Sequence, residues 1–338
     1  MRRAIAAALL ALALAAPAVA RGAGEAAGAG PAAAAVVMRI GHAQPVGHPR
    51  HESLLRFKAL VEQRSGGAVR VDVFPAGQLG DEGAMLDAVK RGDLQGTRSG
   101  LFERVSPRLL VYTMPFLFDS LDGIEQVTMG PIGEAIAADA EANGLIVLTT
   151  GDAGGFRQIT NDVRPVLAPA DLRGLRIRAP GVLTGVLALR AFGAEVVTIP
   201  YGETYQALKS GAADGQENPF INIAAMKFFE VQRYLTVIDY QFHPDPFVVN
   251  PAWFRSLPPD KQKLLRDCAV ESMRYNNRLV RLAAVRARDL VGKAMEVVVL
   301  TPAQRQAFID AARPVYDDLI AEGITTQAEL DAIRSAAR

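Results

Sequence analysis

Apolar positions along the chain recur with two periods. Val37–Gly41 alternates as a short strand. From Pro49 to Gln63, Leu54, Leu55, Phe57, Leu60 and Val61 share one face of a helix, which Ser65-Gly66-Gly67 ends. Val69 to Pro75 returns to period two. Asp81 or Glu82 opens another helix, which carries Met85, Leu86 and Val89 and stops at Gly92. Strands alternating with helices predict an α/β fold with mainly parallel sheets.

The pattern recurs downstream. A helix around Leu187-Ala188-Leu189 leads to Gly193, and Val196–Ile199 is a strand stopped by Pro200, as Val73-Phe74 is stopped by Pro75. Asp87-Ala88-Val89-Lys90-Arg91-Gly92 resembles Gln206-Ala207-Leu208-Lys209-Ser210-Gly211, and each copy places a glycine four positions on, at Gly96 and Gly215. The reading is two related α/β units facing across a cleft, against a chance match of helix-stop residues. From Pro259 to about Val291 apolar residues keep helical spacing with no internal proline. Such a helix of about 30 residues is roughly 45 Å long, enough to brace two lobes. Thr301-Pro302-Ala303-Gln304 has the form of a capping box with proline at the first helical position.

The first residues have a different character. Arg2 and Arg3 precede an apolar run from Ala4 to Ala16, and Ala18-Val19-Ala20 supplies small residues at a cleavage site. This order predicts a secretory signal peptide over 1–20 rather than a membrane anchor, followed by a flexible leader over 21–36. Without residues 1–20 the formal charge goes from +1 to −1. A near-neutral surface predicts no nucleic-acid partner, and the mature chain is expected to be soluble, without stable membrane insertion. The single cysteine, Cys268, excludes an internal disulfide and sits among Leu264, Leu265 and Met273 as a buried apolar residue rather than a nucleophile.

The sequence carries no G-x-S-x-G, P-loop, G-x-G-x-x-G or C-x-x-C motif. Its histidines, His42, His48, His51 and His243, do not form a metal-ligand pattern, so no metal and no cofactor are expected. Asp81 and Glu82 read as helix N-terminal charges. The positive signals are arginines. In Leu175-Arg176-Ile177-Arg178-Ala179-Pro180, alternation puts both arginines on one face of a strand that proline ends. Arg178 there is either a surface salt bridge or the planar partner of a ligand carboxylate. Arg157 follows Gly154-Gly155-Phe156, where two glycines allow close backbone approach. Asp214-Gly215-Gln216-Glu217-Asn218-Pro219 reads as a polar turn whose amides either cap or donate to a ligand.

Together with Gly41-His42, Phe74-Pro75-Ala76-Gly77-Gln78-Leu79-Gly80, Arg157-Gln158-Ile159-Thr160-Asn161 and Asp171-Leu172-Arg173-Gly174, these segments resemble the DctP-type substrate-binding proteins of TRAP (tripartite ATP-independent periplasmic) transporters. The resemblance runs from about Val37 to the C-terminus. It implies a two-lobed periplasmic binding-protein (flytrap) fold with crossing hinge segments and a long helix spanning both lobes. Lobe I would comprise 37–154 and 244–284, and lobe II 155–243 and 285–338. It implies a periplasmic, non-enzymatic protein that closes on a small organic acid and passes it to TRAP membrane permease subunits. By the same resemblance Arg178 pairs with the ligand carboxylate and Arg157 is a second anchor. Asn218 is a hydrogen-bond partner, and Tyr201 an aromatic wall.

The sequence departs from that pattern where many members carry histidine, in Asp239-Tyr240-Gln241-Phe242-His243-Pro244. Tyr240 and His243 are further candidate ligand contacts. The polar stretch favours a hydroxylated acid, such as a uronate or sugar acid, with a C4-dicarboxylate and an aromatic or keto acid open and sialic acid disfavoured. Two other readings share these features: a solute sensor for a signalling receptor, and an exported enzyme acting on an organic acid.

Overall fold

The computed structural model of the protein describes residues 36–338. The expected signal peptide and nearly all of the leader lie outside the described residues. In chain order the strands are β1 (Val36–Gly41), β2 (Val69–Phe74), β3 (Gly96–Arg98), β4 (Ile146–Asp152), β5 (Arg157–Asn161) and β6 (Arg176–Ala179). They continue with β7 (Glu195–Thr198), β8 (Gly215–Pro219), β9 (Tyr234–Val237), β10 (Pro244–Val249) and β11 (Glu296–Val299). The helices are α1 (Pro49–Arg64), α2 (Glu82–Arg91), α3 (Leu121–Thr128), α4 (Pro131–Ala138), α5 (Leu183–Ala191) and α6 (Thr204–Lys209). After these come α7 (Phe220–Ala225), α8 (Pro251–Ser256), α9 (Pro259–Ala294), α10 (Pro302–Ala311), α11 (Arg313–Ala321) and α12 (Gln327–Ala336).

The strands form two sheets with matching layouts. The first has the order β2-β1-β3-β10-β4, and the second, from its β7 edge, β7-β6-β8-β5-β9-β11. In each sheet the fourth strand is antiparallel to its neighbours: β10 against β3 and β4, β5 against β8 and β9. These two strands arrive from the other sheet, and the remaining pairs are parallel, so the sheets are mainly parallel as the alternation predicts. β4 leads directly into β5, and β9 into β10, so two strand-to-strand segments cross between the sheets, and α9 makes a third passage to β11. The crossings run side by side, with Arg157 N–H donating to Gln241 O at 2.9 Å and Ala153 N–H to His243 O at 3.3 Å.

The short sequence repeat corresponds to this layout. Gly92 and Gly211 both stop a helix in left-handed conformation, with φ of 87° and 73°. Gly96 and Gly215 then open β3 and β8, the third strands of the two sheets. A Cβ at Gly96 would stand 3.0 Å from Val248 O, and one at Gly215 would collide with Thr160 O. Glycine is required because a crossing strand passes close by in each sheet.

The long helix is 36 residues, or ~54 Å. Its first half packs Leu265, Cys268, Ala269 and Met273 into the core beneath the first sheet. Its second half packs Val280, Ala287 and Val291 with the second. At its middle, Asn276 Nδ2 donates to Asp152 O at 2.8 Å and Asn277 Oδ1 accepts from Asp152 N–H at 3.1 Å, which fixes the helix to the end of β4. A third core joins Met85 and Phe102 with Ile177, Tyr240 and Phe308, so apolar packing is continuous across both halves. Thr301 and Gln304 make the expected capping box. The chain then returns: α12 packs on α3, and Arg108 Nη2 pairs with Glu329 at 2.5 Å.

Candidate functional site

Both sheets aim their loops at a cleft beside the crossings. Its inner end is a narrow space of about 30 Å³ lined by Arg157, Arg178, Tyr201, Asn218 and His243 on one side and Gln44, Arg50, Glu82 and Gly100 on the other. It opens outward into a cleft of about 710 Å³ between residues 76–87 and 178–203, which shares Glu82, Arg178 and Tyr201. A groove of about 480 Å³ between α4, β4 and α9 contains none of these residues.

Arg178 is the centre of the site. β6 carries it inward while Ile177 points into the core; its neighbour on the same face, Arg176, lies at the sheet margin and pairs with Asp214 at 2.7 Å. Arg178 is 1% exposed, which rules out a surface salt bridge. Its Nε donates to Ile199 O at 2.9 Å, and its Nη2 is buried without a partner. Burial pushes the guanidinium down to about 10, partly offset by Glu217. A buried cation with a donor unpaired is costly, and an incoming anion removes that cost. The Tyr201 hydroxyl is also buried and unpartnered.

Arg157 lines the same space but is already engaged. Its Nη2 donates to Glu217 Oε1 at 2.7 Å and to Glu217 O at 2.8 Å, and its Nε pairs with Glu217 Oε2. The same Nη2 lies 3.3 Å from Asn218 Oδ1. Tyr240 does not line the cavity: it is wholly buried, and its hydroxyl donates to Glu217 Oε2 at 3.0 Å. It acts on the site through Glu217 and Arg157. His243 lines the cavity and contacts Gln241 Oε1 through Nε2 at 2.8 Å. Burial, with Arg157 and Arg178 nearby, holds its pKa well below the usual histidine value.

The segment read as a polar turn is strand β8 from Gly215 on, enclosed between β5 and β6. Polar side chains suit a buried strand here because they satisfy one another. Gln216 Nε2 donates to Thr160 Oγ1 at 2.8 Å, Asn218 Nδ2 to Gln216 Oε1 at 2.5 Å, and Asn222 Nδ2 to Asn218 Oδ1 at 3.1 Å. Asn218 therefore has its oxygen occupied and one N–H left to offer, the polarity an anion needs.

Sequence reasoning missed the other wall. Asp81 caps α2 by accepting from Ala84 N–H at 2.7 Å, as expected, but Glu82 turns to the cleft instead. Its Oε1 accepts from Arg50 Nη1 and from Gly100 N–H, both at 2.9 Å. Arg50 Nε also donates to Asp245 Oδ2 at 2.9 Å, an oxygen shared with Arg98. At the crossing, Asp152 Oδ1 accepts from Gly154 N–H at 2.8 Å and Gly155 N–H at 2.6 Å, and burial raises its carboxyl to about 6. Gly154 and Gly155 have φ of 150° and 92°, and a Cβ on Gly154 would stand 2.9 Å from Pro219 Cγ, so the close approach read from the glycine pair is real. No group of three or more metal-ligating side chains occurs among the described residues, and none of their helices is long and apolar enough to cross a membrane.

Comparison with known proteins gives a consistent picture. The profile of the DctP family, described as bacterial extracellular solute-binding protein, family 7, matches residues 40–322. The chain is 32% identical over 295 residues to the 2,3-diketo-L-gulonate-binding periplasmic protein YiaO of Escherichia coli K12, covering 87% of this chain and 89% of that one. A crystal structure of a TRAP periplasmic solute-binding protein from Shewanella oneidensis, with bound succinate, has a TM-score of 0.85 at 30% identity, covering 90% of this chain and 100% of that one. Another from Xanthobacter autotrophicus Py2, with bound β-D-galacturonate, has a TM-score of 0.81 at 28% identity, covering 89% and 98%.

Proposed function

The chain belongs to the DctP family of bacterial extracellular solute-binding proteins, and on that premise we propose that it captures a carboxylate-bearing organic acid in the periplasm and delivers it to a TRAP membrane permease. Members of this family bind solutes and are not enzymes. One observation carries the reading: the Arg178 guanidinium is buried at the inner end of the cleft with Nη2 unpartnered. The ligand carboxylate accepts from Arg178 Nη2, from the free N–H of Asn218 and from the Tyr201 hydroxyl. Arg157, held by Glu217, adds positive potential behind it.

The lobes of this proposal are 37–154 with 244–284 and 155–243 with 285–338, with α12 reaching back onto α3. The ligand bridges them and shifts an open state towards a closed one. The three relatives described above bind 2,3-diketo-L-gulonate, succinate and β-D-galacturonate, so an organic acid is the shared chemistry. The TRAP relatives support transport over signalling.

The test is calorimetry with an organic-acid panel on protein that has been unfolded and refolded to remove carried ligand. Arg178→Ala should cost about 2–5 kcal/mol of binding. Unchanged affinity in a folded Arg178→Ala variant would remove the assignment.

A further inference from the structure

The two walls of the inner cavity differ in polarity. The wall that carries Arg178, Tyr201 and Asn218 offers donors. The opposite wall offers acceptors: Gln44 Oε1 is buried without a partner, and Glu82 Oε2 takes no hydrogen bond from the protein among the described residues. Glu82 is not free to turn away, because Arg50 and the Gly100 N–H hold its other oxygen. Gly100 keeps the free oxygen open, since a Cβ there would stand 3.3 Å from Glu82 Oε2.

Charges around the cavity settle how many carboxylates it takes. Arg50 pairs with Glu82 and Asp245, Arg98 with Asp245, and Arg157 with Glu217. Arg50 and Arg98 are thus balanced by Glu82 and Asp245, and Arg157 by Glu217. Arg178 makes no ion pair among the described residues. One ligand carboxylate pairs Arg178; the remaining buried acid, Asp152, lies at the crossing, where the Gly154 and Gly155 N–H groups hold it. A second ligand carboxylate, at the far end of the same molecule, would meet Glu82 with no unengaged cation, and an unpaired buried charge is strongly disfavoured. A hydroxyl in that place donates to Glu82 Oε2 instead.

We propose that Glu82 is a specificity-determining residue that makes this a site for hydroxylated monocarboxylic acids and excludes dicarboxylates. The inference rests on the reading of Arg178 as the carboxylate anchor. Glu82 works in two ways at once: it accepts from a ligand hydroxyl, and it repels a second carboxylate.

The experiment compares matched pairs by calorimetry: galactonate with galactarate, and erythronate with meso-tartrate. Wild-type protein should bind the monocarboxylate of at least one pair at least tenfold tighter than its dicarboxylate, on the order of 1.4 kcal/mol. Glu82→Gln keeps the shape and the acceptor for Arg50 but removes the charge. It should shrink that ratio at least about tenfold, mainly by admitting the dicarboxylate. Wild-type preference for galactarate or meso-tartrate overturns the inference without help from the variant, so it does not depend on Glu82→Gln folding. An unchanged ratio in folded Glu82→Gln also overturns it. Equal binding of every acid by wild type and Arg178→Ala identifies a different failure, that of the carboxylate anchor itself.

Discussion

His48 and Asn222 lie 174 positions apart and meet at 3.1 Å, Nε2 to Oδ1, across the cleft. His48 caps α1, and its Nδ1 accepts from Arg50 N–H at 3.1 Å. The proton therefore sits on Nε2 and is donated to Asn222. Asn222 in turn donates to Asn218 Oδ1, so a residue on the first half orients an amide of the second.

This arrangement has no place for a second proton on His48, whose Nδ1 already faces an N–H. Burial foremost, then Arg50, lowers its pKa from 6.5 to about 3, with Asn222 and Asp245 opposing and Arg98 adding a little. A His48 freed by opening titrates near 6.5. Closure then releases a proton below that value, so it is unhindered above pH 6.5 and progressively penalised as pH falls towards 3. Ligand affinity should drop by up to about tenfold per pH unit below 6.5. Calorimetry between pH 5 and 8 should show this limb in wild type and a shallower one in His48→Gln, because buried His243 titrates in the same direction; an acid limb of unchanged slope in that variant would contradict the role.

Tyr240 should behave as a support rather than a ligand contact. Tyr240→Phe removes the donor to Glu217 Oε2 and leaves Arg157 as that carboxylate's ion-pair partner. The expected cost is about 1–3 kcal/mol in urea unfolding. Ligand affinity should fall much less than in Arg178→Ala. Loss of affinity equal to that variant, with stability intact, would place Tyr240 on the ligand.

The paired glycines give an internal comparison. Gly215→Ala drives a Cβ into the Thr160 carbonyl, whereas Gly96→Ala meets Val248 O at 3.0 Å. Both should destabilise, by about 1–3 kcal/mol for the milder Gly96 change and more for Gly215. Thermal unfolding of the two variants ranks them. An Ala at Gly215 that unfolds with wild-type midpoint would show that β8 and β5 can separate without loss.

Much of the fold was legible because it rests on local signals. The bounds of α1, β2 and α2 follow from apolar period, from the Asp81 cap and from Gly92, all within a few residues of each other. β8 was misread because its sequence, Gly-Gln-Glu-Asn-Pro, has no apolar alternation. Its polar side chains are satisfied by Thr160, Arg157 and Asn222, partners the local sequence cannot reveal. Glu82 reads as a helix-end charge for the same reason: Asp81 and Glu82 look alike in sequence, and only the approach of Arg50 and Gly100 separates a cap from a cleft residue.

The sequence by itself determined the α/β units, the long helix, the repeat, the family and the strand that carries Arg178. Each depends on residue types at short spacing, where chain geometry leaves few choices. Tertiary structure alone decided that Arg178 is the buried cation without a carboxylate among the described residues, that Tyr240 stands behind the site, and that His48 reaches Asn222. Those facts depend on which distant charges and hydrogen-bonding groups converge after folding. Burial makes each unpaired group costly, and so gives it a function.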